Sequence, residues 1–522
     1  MVGAGSVSGQ AQWEARNPHP ASNAAVKRAA SAKEADDDDD VAAGEEPVNP
    51  AVERIGAGVV PQGQPKHKFH HEPNVQHNDP LKEIVDKGHA AYPVKQVAAE
   101  VDVVPRNTMS DDEAFGKKPL IFPGASATRL HGQVGVKPDG TPGFTLKDKP
   151  TETGFKMLAG NGFNARLSDS ISLDREASDF RMPACKSLHY DLDAIPETSV
   201  VIVFYNEAFS PLMRSVHSVL NRSPPQLLKE IVLVDDGSDK PWLQDELVDY
   251  VALLPKVRLV RQSHRSGLVE ARLRGIREAR APTFIVLDSH IEVQPGWLEP
   301  LLDNLRQNPH NMVMPQIDSI DPETFEHKAG GIGCTLGFIW NLIEHGMGLQ
   351  EQERQRRAHD TDSIRSPTMA GGLFGGWTGY FWELGGYDEE WGYWGTENLE
   401  LSFRLWQCGG RLECEPCSRV YHIFRKGGGA YSLPGNHVLK NKLRTATLWM
   451  DEFGWITRDV MGNPHTELGP LKKMIDLRER LQCKSFKWYL ETVFPESPLT
   501  DLRQILARGA IKNVGANVCL DH

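Results

Sequence analysis

A chain of 522 residues, 39% hydrophobic and 25% charged, has room for roughly two or three domains and a large core, and its composition is that of a soluble globular protein. Its apolar runs fall far short of the ~18 residues a membrane span needs, and no signal or transit peptide is visible. A formal charge of -12, part of it from the run Asp36 to Asp40, argues against nucleic acid as a partner.

The first 150 residues are rich in Ala, Gly, Pro, Asp and Lys and carry little periodicity. Such a stretch buries too little apolar surface to offset its ordering entropy, so residues 1–150 read as a disordered stem. The character then changes. Ser199 to Phe204 reads as a strand, Ser210-Pro211 as a helix N-cap followed by proline, and Leu212, Val216, Val219 and Leu220 recur at helical spacing. A second strand, Ile231 to Val234, runs into Asp235-Asp236-Gly237-Ser238, and Leu243, Leu247, Val251 and Leu254 mark the next helix. Val257 to Val260 is a third strand, Gly267 to Ala279 a helix, and Phe284 to Leu287 a fourth strand. Strand and helix alternating on short connections predict an α/β domain with a mostly parallel sheet and helices on both faces, its ligand at the C-terminal edge of the strands.

That edge carries Asp288-Ser289-His290. On an extended backbone the first and third side chains share a face, where a carboxylate and an imidazole can hold one divalent cation; a capping Asp beside a surface His is the ordinary alternative. Asp235-Asp236 closes the second strand, where an acid can meet a ribose or base, though Asp-Asp-Gly-Ser is also good turn chemistry. Neither a dinucleotide fingerprint nor a P-loop follows the first strand. A diphosphate would then need another counter-charge, which a metal on Asp288 and His290 would supply. Seven cysteines, none in zinc-ribbon spacing, suit either a reduced cytosolic enzyme or a secretory one with disulfides.

These segments, with Arg265-Ser266-Gly267-Leu268, Met369 to Phe374, Trp394-Gly395-Thr396-Glu397-Asn398 and Val420 to Lys426, resemble the polypeptide N-acetylgalactosaminyltransferases, which initiate mucin-type O-glycosylation, over about Phe155 to Ser497. The resemblance implies a GT-A-type fold over residues 151–497 and retaining transfer of N-acetylgalactosamine from UDP-GalNAc to Ser/Thr hydroxyls of polypeptides. It implies Mn2+ on Asp288, His290 and His422, with Asp288, Glu397 and Asn398 as the catalytic set. Asp236, Arg265 and Gly267 would meet the uridine, and Ser289, Gly372 and Trp394 the donor. Arg425 would take the diphosphate, while Tyr431 belongs to a glycine-rich loop, Lys426 to Asn436, that closes over the nucleotide. Phe338 and Trp340 would line the acceptor groove, with core packing as their ordinary alternative. In the family the leaving diphosphate takes the acceptor's proton, and no dedicated general base stands out here.

By the same resemblance Cys185 pairs with Cys417 and Cys408 with Cys483, whereas Cys334 and Cys414 have no counterpart and read as buried thiols. The family implies a type II membrane protein of the Golgi lumen, although no anchor is visible. Residues 498–522 read as a linker and the truncated start of a ricin-type lectin domain. Thr396, Tyr421 and Gly375-Gly376-Trp377 depart from the family pattern and are expected to alter the edge of the sugar pocket. Two rival functions remain, the same fold using another UDP-sugar and a non-catalytic member that binds nucleotide or peptide.

Overall fold

The computed structural model describes residues 161–426, 435–499 and 501–505, together with the backbone of 512–513 and 518–519. Residues 1–150, the segment 427–434 that includes Tyr431, and most of 506–522 lie outside the described residues, as does Cys519 beyond its backbone.

The expected alternation is present. Strand β1 (Thr198–Phe204) leads through helix α1 (Phe209–Arg222) to β2 (Leu228–Asp235), then α2 (Asp245–Ala252), β3 (Val257–Arg261), α3 (Leu268–Glu278) and β4 (Thr283–Asp288). Strands β1 and β4 are buried along their whole length, which is why they read as unbroken apolar runs rather than alternating ones. All four pair in parallel, in the spatial order β4-β1-β2-β3. One boundary differs: α1 begins at Phe209, so Ser210-Pro211 lie inside its first turn, and the Ser210 hydroxyl donates to Asp169 at 2.6 Å instead of capping.

The second half extends this sheet with mixed polarity. After β5 (Ile291–Val293) and α4 (Leu298–Gln307) come β6 (Asn311–Ile320), β7 (His327–Ile332), the hairpin β8 (Leu336–Ile339) and β9 (Ile343–Gly346), and the short β10 (Ile364–Arg365). Strand β11 (Phe374–Trp377), helix α5 (Glu397–Gln407), the long β12 (Arg411–Ile423), α6 (His437–Trp449) and α7 (Phe486–Thr492) follow. The sheet continues β4-β11-β6-β12-β10, with β11 antiparallel to both neighbours and β12 parallel to β6. Gly375 permits the fit of β11 against β4, because a Cβ there would stand 2.1 Å from Ile285 Cδ1.

Register sets the working edge. Val203 is aligned with Asp288 and Phe204 with Asp235, so three parallel strands end at one level. Strand β12 places His422 opposite Ser319 of β6 and Ile291 of β5, bringing it beside the turn that carries His290.

Cys185 bonds Cys417 and Cys408 bonds Cys483. Cys334 and Cys414 are a correction to the sequence expectation: they are not thiols but a third disulfide. Cys414 lies on β12 opposite Ile364, and only the strand register, which spacing does not encode, brings the segment before β8 against it. Tyr421 and the Gly375-Gly376-Trp377 segment also need correcting, since neither borders the sugar pocket. Tyr421 stacks on His327 at 4.1 Å and donates its hydroxyl to the Ser178 carbonyl, while Trp377 lies within the sheet and donates to the Leu305 carbonyl. Among the described residues no helix is long and apolar enough to cross a membrane.

The Cys334–Cys414 bond closes a sequence separation of 80 residues. Replacing both cysteines with alanine should cost about 2–4 kcal/mol of stability. Urea unfolding midpoints of the variant and the parent protein, both oxidised, measure this, and equal midpoints would contradict it.

Candidate active site

Six of the residues singled out from sequence converge on one cavity of about 210 Å³: Asp288, Gly372, Trp394, Glu397, Asn398 and His422. Asp288 ends β4, His422 comes from β12, and Glu397 and Asn398 open α5. Gly372 is where a side chain has no room, since a Cβ there would lie 2.3 Å from Asp288 Oδ2. Its part is to admit the Asp288 carboxylate.

Asp288 and His290 do not share a strand. Strand β4 stops at Asp288, Ser289-His290 form a turn, and β5 starts at Ile291. The turn nevertheless puts the His290 ring 4.7 Å from the His422 ring, and His422 Nε2 lies 3.2 Å from Asp288 Oδ2 without hydrogen-bonding direction. His290 Nε2 and both nitrogens of His422 are buried without a hydrogen-bond partner. Among the described residues no group of three His, Cys, Asp or Glu side chains is placed to hold a metal ion. Even so, two imidazoles with unengaged nitrogens beside an ionised carboxylate are a donor set that fits a first-row divalent cation.

Electrostatics sets the states of two of these groups, Asp288 and His290. Burial alone would push the Asp288 carboxyl up, but His422, then Arg272 and His290, outweigh it and hold the group below the usual carboxylate range. Burial, reinforced by Arg425, drives the His290 imidazole down to about 3, leaving it neutral near neutral pH.

Two residues central to this balance escaped the sequence reading. Glu207, three residues past β1 and 1% exposed, accepts from the Ser289 hydroxyl at 2.8 Å, pairs with His290 Nδ1 at 2.9 Å and receives Arg425 at 2.6 Å. It orients His290, whose outer nitrogen is left without a hydrogen-bond partner. Against the pull of burial, Arg425 and then His290 hold Glu207 well below the ordinary carboxylate range. Arg272, fully buried on α3, stands 3.7 Å from Asp288 and 3.5 Å from Glu397. Burial raises the Glu397 carboxyl, with Arg272 the main restraint. The position of Glu207 at a strand end was a usable signal for it; an arginine on an apolar helix face gave none.

The remaining expected residues separate into groups. Asp236 accepts from the backbone of Ser266 and Gly267 at 2.7 and 3.0 Å, so it ties down the loop entering α3. Gly267 adopts a left-handed φ of 102°, and a Cβ there would meet Tyr393 Cα at 2.5 Å. Arg265 lies 4.3 Å over the ring of Tyr205 and 5.6 Å from that of Tyr393, forming a flat platform near the strand ends. Phe338 must be corrected: it is 3% exposed and packs on Phe403, Phe486 and Phe494, so it belongs to the core and not to a groove. Trp340 stacks on Phe453 at 6.2 Å and does not line the cavity.

A parallel sheet ending in acids, with Asp288, Glu397 and His422 on one cavity, defines a nucleotide-sugar glycosyltransferase of the GT-A fold, and the glycosyl transferase family 2 model matches residues 199–376. Human polypeptide N-acetylgalactosaminyltransferase 13 is 45% identical over 78% of this chain and 73% of its own length. A probable N-acetylgalactosaminyltransferase 9 of Caenorhabditis elegans is 43% identical over 72% of the chain, which spans 66% of that relative. The crystal structure of GalNAc-T7 with UDP, GalNAc and Mn2+ superposes with a TM-score of 0.63 at 35% identity, covering 78% of this chain and 74% of that one. The chain belongs to the polypeptide N-acetylgalactosaminyltransferase family.

Gly372→Ala should displace Asp288 and lower sugar transfer by about 100-fold, the scale expected of a misplaced reacting group. Initial rates beside a thermal melt check this, and near-parental turnover in a folded variant would refute the assigned contact.

Proposed function

We propose that the protein transfers N-acetylgalactosamine from UDP-GalNAc to serine or threonine hydroxyls of polypeptides, with retention at the anomeric carbon, in a reaction dependent on Mn2+. The observation that carries this is the placement of Asp288 and His422, 3.2 Å apart, on a cavity walled by Glu397 and Asn398, with the His290 ring 4.7 Å from that of His422.

In this proposal Asp288, His290 and His422 would hold the cation, which when bound supplies positive charge against the diphosphate as it leaves. Arg425 adds a second positive group. It is now engaged by Glu207, and its planar fork suits phosphate oxygens. Tyr205, Arg265 and Tyr393 offer the base a stacking surface, while the Asp236-clamped loop fixes where that surface lies. Glu397 and Asn398 orient sugar hydroxyls, and Glu397 steadies positive charge developing at the anomeric carbon. Ile317, Ile332, Leu342 and Phe424 form an apolar wall that keeps water from competing with the acceptor hydroxyl. No side chain is assigned as the base, because the departing diphosphate accepts the proton. Three disulfides accord with an oxidising compartment, so we place the activity in the Golgi lumen.

Asp288→Ala should lower transfer to a Thr/Pro-rich peptide by at least about 100-fold in a variant that still unfolds cooperatively, and EDTA should lower transfer by the parent protein likewise until Mn2+ is restored. Full turnover in either case would contradict the proposal. A clear preference for UDP-GlcNAc over UDP-GalNAc would leave the fold assignment intact and overturn the donor.

A further inference from the structure

Glu344 is a carboxylate on a face whose other occupant is core. In the β8–β9 hairpin it stands directly opposite Phe338, and opposed residues leave the ribbon on the same side. Phe338 enters the aromatic core, whereas Glu344 borders the cavity between Asn398 and α6. Burial raises its carboxyl, the charge of Glu397 adds to the rise, and Asn398 and Lys442 restrain it. Lys442, on α6, lines the same cavity; burial lowers its ammonium and Glu344 opposes that change. A charged residue in so desolvated a place needs a counterpart in the protein or in its ligand.

The third member is Thr396. Its backbone lies in the left-handed region, at φ 69°, which β-branched residues rarely adopt. It lines the cavity, is 6% exposed, and its hydroxyl is buried with no hydrogen-bond partner. Glu344, Lys442 and Thr396 thus line one space, and the formal charges of the first two cancel. A neutral polyol matches such a wall, donating to the carboxylate and accepting from the other two, while a charged ligand would leave one of the pair uncompensated. Asn398 and Glu397 act on Glu344 within the cluster.

We propose that Glu344, Lys442 and Thr396 form a subsite for hydroxyl groups of the transferred sugar and that this subsite sets the preference for the donor sugar. The inference deepens the function proposed above and rests on it. Calorimetric binding of UDP and of UDP-GalNAc, both with Mn2+, to the parent protein, Glu344→Gln and Lys442→Met separates the two. Each variant should bind UDP-GalNAc about tenfold more weakly, the loss expected of one charge-assisted hydrogen bond, while its affinity for UDP stays unchanged. The ratio of kcat/KM for UDP-GalNAc to that for UDP-GlcNAc should fall with no change in peptide KM. Equal losses for UDP and UDP-GalNAc, no loss for either, or a rise in peptide KM alone would overturn the subsite. Absence of UDP binding by the parent protein would instead overturn the nucleotide-sugar reading beneath it. Lys442→Met, on a different element, keeps the proposal testable should Glu344→Gln fail to fold.

Discussion

The buried arginine between Asp288 and Glu397 is the interaction on which the site depends. Two carboxylates taken out of water within reach of one another repel, and each carries a desolvation cost of several kcal/mol. Arg272 stands within 3.7 Å of the first and 3.5 Å of the second, and against burial its own charge is sustained by Tyr387 and then by the two acids. Glu207, His290 and Arg425 repeat the pattern one layer deeper. The site is therefore two interlocked charge clusters, one facing the cavity and one behind it, with His290 and His422 where they meet.

Holding such clusters in place is the task of the surrounding scaffold. Parallel register brings the ends of β1, β2 and β4 to one level, and β12 returns through the second half of the sheet to deliver His422 to the same edge. Two of the three disulfides end on β12, at Cys414 and Cys417, and so anchor the strand that carries this ligand to distant parts of the chain. Gly372 contributes by lacking a side chain, since any Cβ would displace the Asp288 carboxylate.

Departures from the family pattern are not equivalent once placed in three dimensions. Tyr421 precedes His422 in sequence, but adjacent strand residues point to opposite faces, and Tyr421 is spent on stacking with His327. Thr396 lines the cavity in an uncommon backbone conformation.

The order of strands and helices through β4 was legible because fully buried parallel strands leave continuous apolar runs and helices leave a 3.6-residue period. Asp288 and His290 were legible as a candidate pair, since side-chain type at short spacing is a local property, whereas Glu397 and His422 stood out only through the family resemblance. Long-range register was not local, and it alone decided that β11 runs antiparallel between β4 and β6 and that Cys334 meets Cys414. It also sent Phe338 into the core while turning Glu344, directly opposite on the hairpin, toward the cavity. Arg272 could not be assigned from sequence for the same reason: a buried charge is defined by its partners, and Glu397 lies 125 residues away along the chain.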